Sequence, residues 1–344
     1  MLSPALPVLV AISGGSDSTA LLLRLHQACE SDQLFAATVD HGLRPEAADE
    51  ARWVERLCRS LGVPHATLRW SGERKAAASA RAARYDLLTA HAQAIGAGTI
   101  ALGHTMDDQA ETVFMRAMRL KPHSNTRGLS GMTICSHHRG LTLWRPLLNM
   151  RRTTLRDELR AVGQNWIDDP SNSDVSSERV RVRRALQSQP HLIEQLCRLA
   201  SFCDRSRTWL AHRTAEAIDQ HVIRDGSGAG YVICRVELVD RLVLRELLSI
   251  LILAVGGGSY RPALHKLEPL LKACDRGEKL RHAVGRTIVI ISRDRIAIEP
   301  ETRRQPSFGT SNERVKHDPA HNIFRSSADD VIAEALSNVG QIVQ

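Results

Sequence analysis

Two rhythms of apolar and polar positions alternate along the first 150 residues. Leu6–Ser13 is a short apolar run closed by glycines and reads as a buried strand, and Ser18–Cys29 then carries apolar residues at helical spacing. The pair repeats: strands over Leu34–Asp40, Pro64–Trp70 and Thr99–Gly103, and helices over Ala47–Leu61, Ala76–Ile95 and Asp107–Arg119. A βαβα order of this kind predicts an α/β fold, a parallel sheet with helices on both faces. Ligands of such sheets lie beyond the carboxyl ends of the strands, which directs attention to 13–18, 40–44 and 104–111.

Residues 120–140 break the pattern. Pro122, Asn125, Gly128, Gly131 and Gly140 mark an irregular basic loop. A strand over Leu141–Leu148 and helices over Thr153–Val162 and Glu178–Gln187 follow. Then come a long helical stretch, His191–Arg224, a strand at Tyr231–Val236, and helices over Val239–Val255 and Pro262–Ala273. Three short strands, Leu280–Val284, Thr287–Ser292 and Arg295–Glu299, read as an antiparallel element. The expected organisation is a nucleotide-type domain over 1–189, a smaller helical or α+β domain over 190–300, and a polar tail over 301–344. The tail is expected to be partly disordered, with a helical stripe at Asp329–Val343.

The chain has 344 residues, 43% of them apolar, enough for self-supporting cores. No run approaches the roughly 18 apolar residues of a membrane span. Leu6–Ile12 lacks the basic flank of a signal peptide, so the cytoplasm is the expected compartment. The seven cysteines form no Cys-x-x-Cys pair and no zinc-finger spacing. The net charge of +8 arises after residue 100, since the first hundred residues are balanced. A basic surplus confined to the later chain suits a polyanionic partner.

Ser13-Gly14-Gly15-Ser16-Asp17-Ser18 joins a strand to a helix. Small residues let several N–H groups point at one anion, and the helix adds its positive end. There is neither a Gly-Lys-Ser/Thr nor a Gly-x-Gly-x-x-Gly, so this is not a Walker A loop or a dinucleotide fingerprint. Asp17 within an anion cradle implies a cation, and Mg2+ bridging it to a polyphosphate resolves the conflict.

The hexapeptide resembles the loop of the PP-loop ATP pyrophosphatases, which split ATP between its α- and β-phosphates. Three further motifs narrow the resemblance: Asp40-His41-Gly42-Leu43-Arg44, His104-Thr105-Met106-Asp107-Asp108-Gln109-Ala110-Glu111-Thr112, and Trp166-Ile167-Asp168-Asp169-Pro170-Ser171-Asn172, preceded by Arg145-Pro146-Leu147-Leu148. In this order they resemble the bacterial tRNA(Ile)-lysidine synthetases over about residues 6–190. The resemblance implies that ATP adenylates the wobble cytidine of a CAU-anticodon tRNA(Ile) and that free L-lysine displaces AMP.

It also implies roles. Ser13, Gly14, Gly15, Ser16, Asp17, Ser18, Asp40 and Arg44 are expected to bind ATP. Asp17, His104, Asp107, Asp108 and Glu111 are expected to carry the chemistry, with Asp17 and Asp107 as metal ligands. Which carboxylate holds lysine and which holds magnesium stays open. His104 can contact the adenylate or act as a base; Asp40 can hold the ribose or order its turn. Arg81, Arg84, Arg127, Arg179, Arg181 and Arg183 are expected to meet tRNA, Arg81 and Arg84 alternatively the polyphosphate. Thirteen aromatic residues leave few stacking platforms. A homodimer is left open as a further partner. A rival tRNA thiolase ordinarily needs a reactive cysteine pair, and the spacings here provide none. Two segments depart from the family pattern: Arg119-Leu120-Lys121-Pro122, where small residues are usual, and Arg179-Val180-Arg181-Val182-Arg183.

Overall fold

A computed structural model describes residues 7–30, 32–40, 42, 47–70, 77–119, 126–168 and 174–301. They fall into two compact units divided between Phe202 and Cys203, with residues 126 and 127 grouped in the second.

The first unit is a six-stranded sheet in the order β3-β2-β1-β4-β6-β5. β1 (Val8–Ala11) lies between β2 (Leu34–Asp40) and β4 (Thr99–Leu102), parallel to both; β3 (His65–Arg69) extends one side and β6 (Leu141–Trp144) the other. All four β1 residues are buried, as a central parallel strand requires. Val8, Val10 and Ile12 pack with Leu21, Leu22 and Leu25 of α1 (Ser16–Ala28), Val54 of α2 (Ala47–Ser60), and Leu155 and Leu159 of α5 (Arg152–Ala161). Leu9 and Ala11 face the other way, toward Leu88 and Ala92 of α3 (Ala77–Ala94). The chain moves outward from β1 to β3 and returns to β4, so the strand order reverses between β1 and β4. That reversal is where such sheets bind ligands.

The irregular loop expected over 120–140 holds more order than its composition suggests. Thr126–Ser130 is a 3-10 turn, and β5 (Cys135–His138) pairs antiparallel with β6. Arg139 and Gly140 both have positive φ, the signature of a two-residue hairpin turn. Cys-Ser-His-His lacks the β-branched residues that advertise a strand, so the turn rather than the strand was legible.

α4 (Met106–Met118) follows β4, and α6 (Glu178–Gln187) precedes α7 (Pro190–His221). The expected helix over His191–Arg224 ends earlier: Val222–Arg224 forms strand β7, an edge of the second sheet. That sheet runs β7-β8-β11-β10-β9, antiparallel throughout, with β8 at Tyr231–Cys234, β9 at Leu280–Val284, β10 at Thr287–Ile291 and β11 at Arg295–Pro300. Its buried residues Ile233, Val289, Ile291, Ile296 and Ile298 pack on Leu247 and Leu251 of α8 (Arg241–Gly256) and Leu267 and Leu270 of α9 (Leu264–Arg276). Among the described residues no helix is long and apolar enough to cross a membrane. The tail helix expected at Asp329–Val343 lies outside the described residues.

Candidate active site

α1 begins directly after the loop with Gly15 as its N-cap and no side chain bonded to its first amides. The first intrahelical donor is Thr19, to the Gly15 carbonyl at 3.0 Å. The N–H groups of Ser16, Asp17 and Ser18 therefore form an open donor set at the positive end of the helix. The loop is braced from its other side. The Ser18 hydroxyl donates to the Gly15 carbonyl at 3.0 Å and accepts from the Ser13 amide at 3.2 Å, and the Thr19 hydroxyl donates to the Gly14 carbonyl. Thr19 was not singled out in the sequence.

Two glycines are required by proximity. A Cβ on Gly14, at φ +83°, would stand 2.5 Å from Ile167 Cδ1, and the Ile167 amide donates to the Gly14 carbonyl at 2.9 Å. A Cβ on Gly103 would stand 3.1 Å from the backbone of Ser18, where the end of β4 approaches α1. These contacts join three of the motif regions, separated by as much as 153 positions (14 to 167), at one point of the sheet.

At the start of α4, Thr105 and Asp108 form a reciprocal capping box. Thr105 donates both its amide and its hydroxyl to Asp108 Oδ2 at 2.9 Å. Most of the remaining carboxylate oxygens of the cluster face arginines. Arg152 donates from Nε to Asp17 at 2.7 Å and from Nη2 to Asp108 Oδ1 at 3.0 Å, and its Nη1 stands 3.7 Å from Glu111. Arg179 donates to Glu111 Oε2 at 2.6 Å and to Asp108 Oδ1 at 3.0 Å, and Arg183 to Glu111 Oε1 at 2.8 Å. Asp107 accepts from Arg151 Nε and Nη2, both at 3.3 Å, and from the Arg152 amide at 2.8 Å. Four carboxylates thus meet four guanidiniums.

The electrostatics follow from burial and pairing. Burial pushes the Asp17 carboxyl up, against the pull of Arg152. Burial also opposes charge on Asp108, but Arg152, Arg179 and the Thr105 amide outweigh it and hold the carboxyl below its usual range. Burial works against the charges of Arg152 and Arg179 as well, and their carboxylate partners overcome it. His104, beyond β4, is pushed down to about 4, chiefly by burial, with Arg145, Arg81 and Arg84 adding to the effect against Asp108. Its Nδ1 is buried without a hydrogen-bond partner. The imidazole is neutral at physiological pH.

The other expected residues sit as follows. Asp40 accepts from the Gly42 amide at 2.8 Å and so orders its own turn. Arg81 lies over the Tyr85 ring and donates to its hydroxyl at 3.3 Å. Arg84 is half-buried, and burial works against its charge. Arg181 does not join the acidic cluster: it donates to the carbonyls of Val175 and Ser176, just before α6. Arg179 and Arg183, expected at tRNA, have their guanidiniums on Asp108 and Glu111. Arg44, the side chain of Arg127 and Asp169–Asn172 lie outside the described residues.

The donor set fits a magnesium–nucleotide complex in one respect. Among the described residues no three His, Cys, Asp or Glu side chains are placed to cage a metal. Magnesium, however, is commonly held by one or two carboxylates plus substrate phosphates. Asp17 suits that arrangement: it stands among open amides, and one oxygen meets only the Ser16 hydroxyl, at 3.1 Å. Asp107 suits it less, because both oxygens face Arg151 and the Arg152 amide. Burial pushes the Cys58 thiol up to about 12 and those of Cys197 and Cys274 up to about 11, so none of these three is activated.

Arg151, Arg152 and Arg156 are site residues that the sequence reading did not single out. For Arg151 and Arg152 a signal was present. Arginines at the N-cap and first turn of α5, with no acidic residue there, oppose the helix dipole and so call for an external partner.

Comparison with known proteins agrees with this geometry. Residues 3–190 match the model of a PP-loop domain family. The chain is 37% identical over 318 residues to a tRNA(Ile)-lysidine synthase of Methylobacterium nodulans, covering 87% of this chain and 91% of that protein. It is 36% identical to one from Mesorhizobium japonicum, covering 91% of this chain and 71% of that protein. It is 40% identical to one from Ruegeria pomeroyi, over 74% of this chain and 62% of that protein. With the glycine-rich β1–α1 loop, the β4–α4 acidic motif and the Ile167 contact each in their places, the chain belongs to the tRNA(Ile)-lysidine synthases, ligases built on a PP-loop ATP-binding domain.

Proposed function

We propose that the chain adenylates the 2-carbonyl oxygen of the wobble cytidine in tRNA(Ile) with a CAU anticodon, using ATP, and then joins free L-lysine to carbon 2. The lysine ε-amine displaces AMP, and the products are lysidine, AMP and pyrophosphate. The observation that carries this reading is the bridge made by Arg152. It ties Asp17, at the open amides of α1, to Asp108, beside Glu111. A polyphosphate site and a site for cationic side chains are thereby held against each other.

In this reading the amides of Ser16–Ser18 stabilise the departing pyrophosphate. Asp17 would hold magnesium, which when bound would offset polyphosphate charge. Asp108 and Glu111 supply the negative charge that orients the lysine ammonium. A carboxylate or the phosphate takes the proton the amine must lose before attack. His104, neutral through burial, contacts the adenylate as a hydrogen-bonding group. The second unit and the basic residues after 112 that lie outside the acidic cluster and the nucleotide loop serve tRNA recognition, and the reaction belongs to the cytoplasm, where these substrates meet.

The test supplies ATP, the CAU-anticodon tRNA and each amino acid in turn, following pyrophosphate and the mass of nucleoside 34. Lysine alone should raise the mass of the cytidine, by that of lysine less one water, because the 2-oxygen leaves with AMP. Pyrophosphate release with no lysine-bearing nucleoside refutes the proposal.

A further inference from the structure

We propose that Arg156 is a phosphate-contacting residue of the nucleotide site, placed beside the open amides of α1 to meet the polyphosphate and hold the pyrophosphate as it leaves. The proposal rests on the reading of residues 13–18 as the ATP loop. Arg152 and Arg156 are one turn apart on α5 and share a face. Buried Leu155 and Leu159 fix that helix against the core that contains α1. The two arginines differ in what they have left to offer. Arg152 is 14% exposed, and its three nitrogens face Asp17, Asp108 and Glu111.

Arg156 donates from Nε to the Ser16 hydroxyl at 3.2 Å, and from Nη2 to Asp168 at 3.1 Å. Its guanidinium lies 5.5 Å from the centre of the Trp166 ring, and Trp166 donates to the same Asp168 oxygen at 3.2 Å. Three contacts therefore orient the guanidinium at the first residue of α1. Its Nη1 has no hydrogen-bond acceptor among the described residues. Asp168 is 72% exposed, so this pair is solvated and leaves most of the positive charge available. An anion lying on the amides of Ser16–Ser18 comes within reach of that charge. Such preorganised donors act where charge develops in the transition state. Ser16, Trp166 and Asp168 thus become the supports of a guanidinium aimed at the cradle.

The test compares wild type, Arg156→Gln and Arg156→Lys in the full chain with ATP, tRNA and lysine. One charge-assisted hydrogen bond is worth about 1.5–3 kcal/mol, so Arg156→Gln should raise KM for ATP about tenfold or more. Inhibition by added pyrophosphate should weaken in step, and Arg156→Lys should recover part of both effects. Affinity for tRNA and Tm should stay near wild type. KM and pyrophosphate inhibition within twofold of wild type would overturn the proposal, as would a fall in Tm with unchanged KM, which marks a strut. Gly14→Ala serves as the loop control. If it loses ATP binding while Arg156→Gln does not, the ATP-loop reading stands and this assignment falls. If wild type itself binds no ATP, both fall.

Discussion

Replacing Glu111 by Gln tests whether the acidic cluster is a free binding site or part of the scaffold. The Glu111 side chain is 1% exposed and accepts from Arg179 at 2.6 Å and Arg183 at 2.8 Å. The amide keeps one acceptor oxygen but turns an NH2 toward a guanidinium, so both arginines lose the Glu111 charge and one of them faces a donor. Removing one partner of a buried ion pair costs about 3–5 kcal/mol. Arg179 and Arg183 retain 37% and 21% exposure, so water recovers part of their charge and the lower end, about 3 kcal/mol, is expected. For a unit of this size that corresponds to a fall in Tm of about 6–12 °C. Thermal unfolding followed by circular dichroism measures it, with urea titration as the second probe. Raising the salt concentration should change the difference little, because screening reaches buried pairs weakly. Glu111→Asp, whose shorter arm retains charge but cannot span both arginines, should fall between. A fall below about 2 °C for Glu111→Gln refutes the idea that Glu111 organises α6 against α4.

Two further outcomes follow from the same geometry. His104 ordinarily titrates near 6.5 and is held at about 4 in the folded chain, so the folded state binds fewer protons between those values. Its contribution to stability is present above pH 6.5 and is lost as pH falls toward 4, about 3 kcal/mol in all; His104→Gln should flatten that part of the stability–pH curve, and an imidazole resonance titrating near 6.5 would falsify the neutral assignment. Gly14→Ala sets a Cβ 2.5 Å from Ile167 Cδ1 in a left-handed conformation, so it should abolish ATP binding; adding Ile167→Ala should restore only part, since the clash goes but the φ of +83° remains, and full restoration counts against backbone strain.

Much of the nucleotide half was legible because its signals are local. A buried strand, a run of small residues and a helix at 8–28 specify the cradle without distant help, and β1 to β4 follow from apolar runs separated by helical spacing. The Thr105–Asp108 capping box also has a local signal, a Thr followed three positions later by an acid, although it was not singled out. Partnership was not legible. The charges of Arg179 and Arg183 pointed outward to tRNA in the sequence, yet their nearest carboxylates lie about 70 residues away in the chain, across the α4–α6 packing. Sign is a property of a residue, whereas pairing is a property of the fold. The same holds for Arg152, whose guanidinium closes on Asp17 from 135 positions downstream. Strand β5 was hidden for a different reason: pairing with β6 overrides the low strand preference of Cys-Ser-His-His.

The matching of Asp17, Asp107, Asp108 and Glu111 by Arg151, Arg152, Arg179 and Arg183 makes the acidic end of α4 an ion exchanger. A cation reaching Asp108 or Glu111 arrives only as a guanidinium departs, so its affinity is a difference between two pairings and not the strength of one. Whatever draws Arg179 or Arg183 toward another anion lowers the cost of that exchange, and by linkage the arriving cation favours the second anion to the same degree. A polyanion near α6 and a small cation at α4 would then bind with positive cooperativity without touching each other.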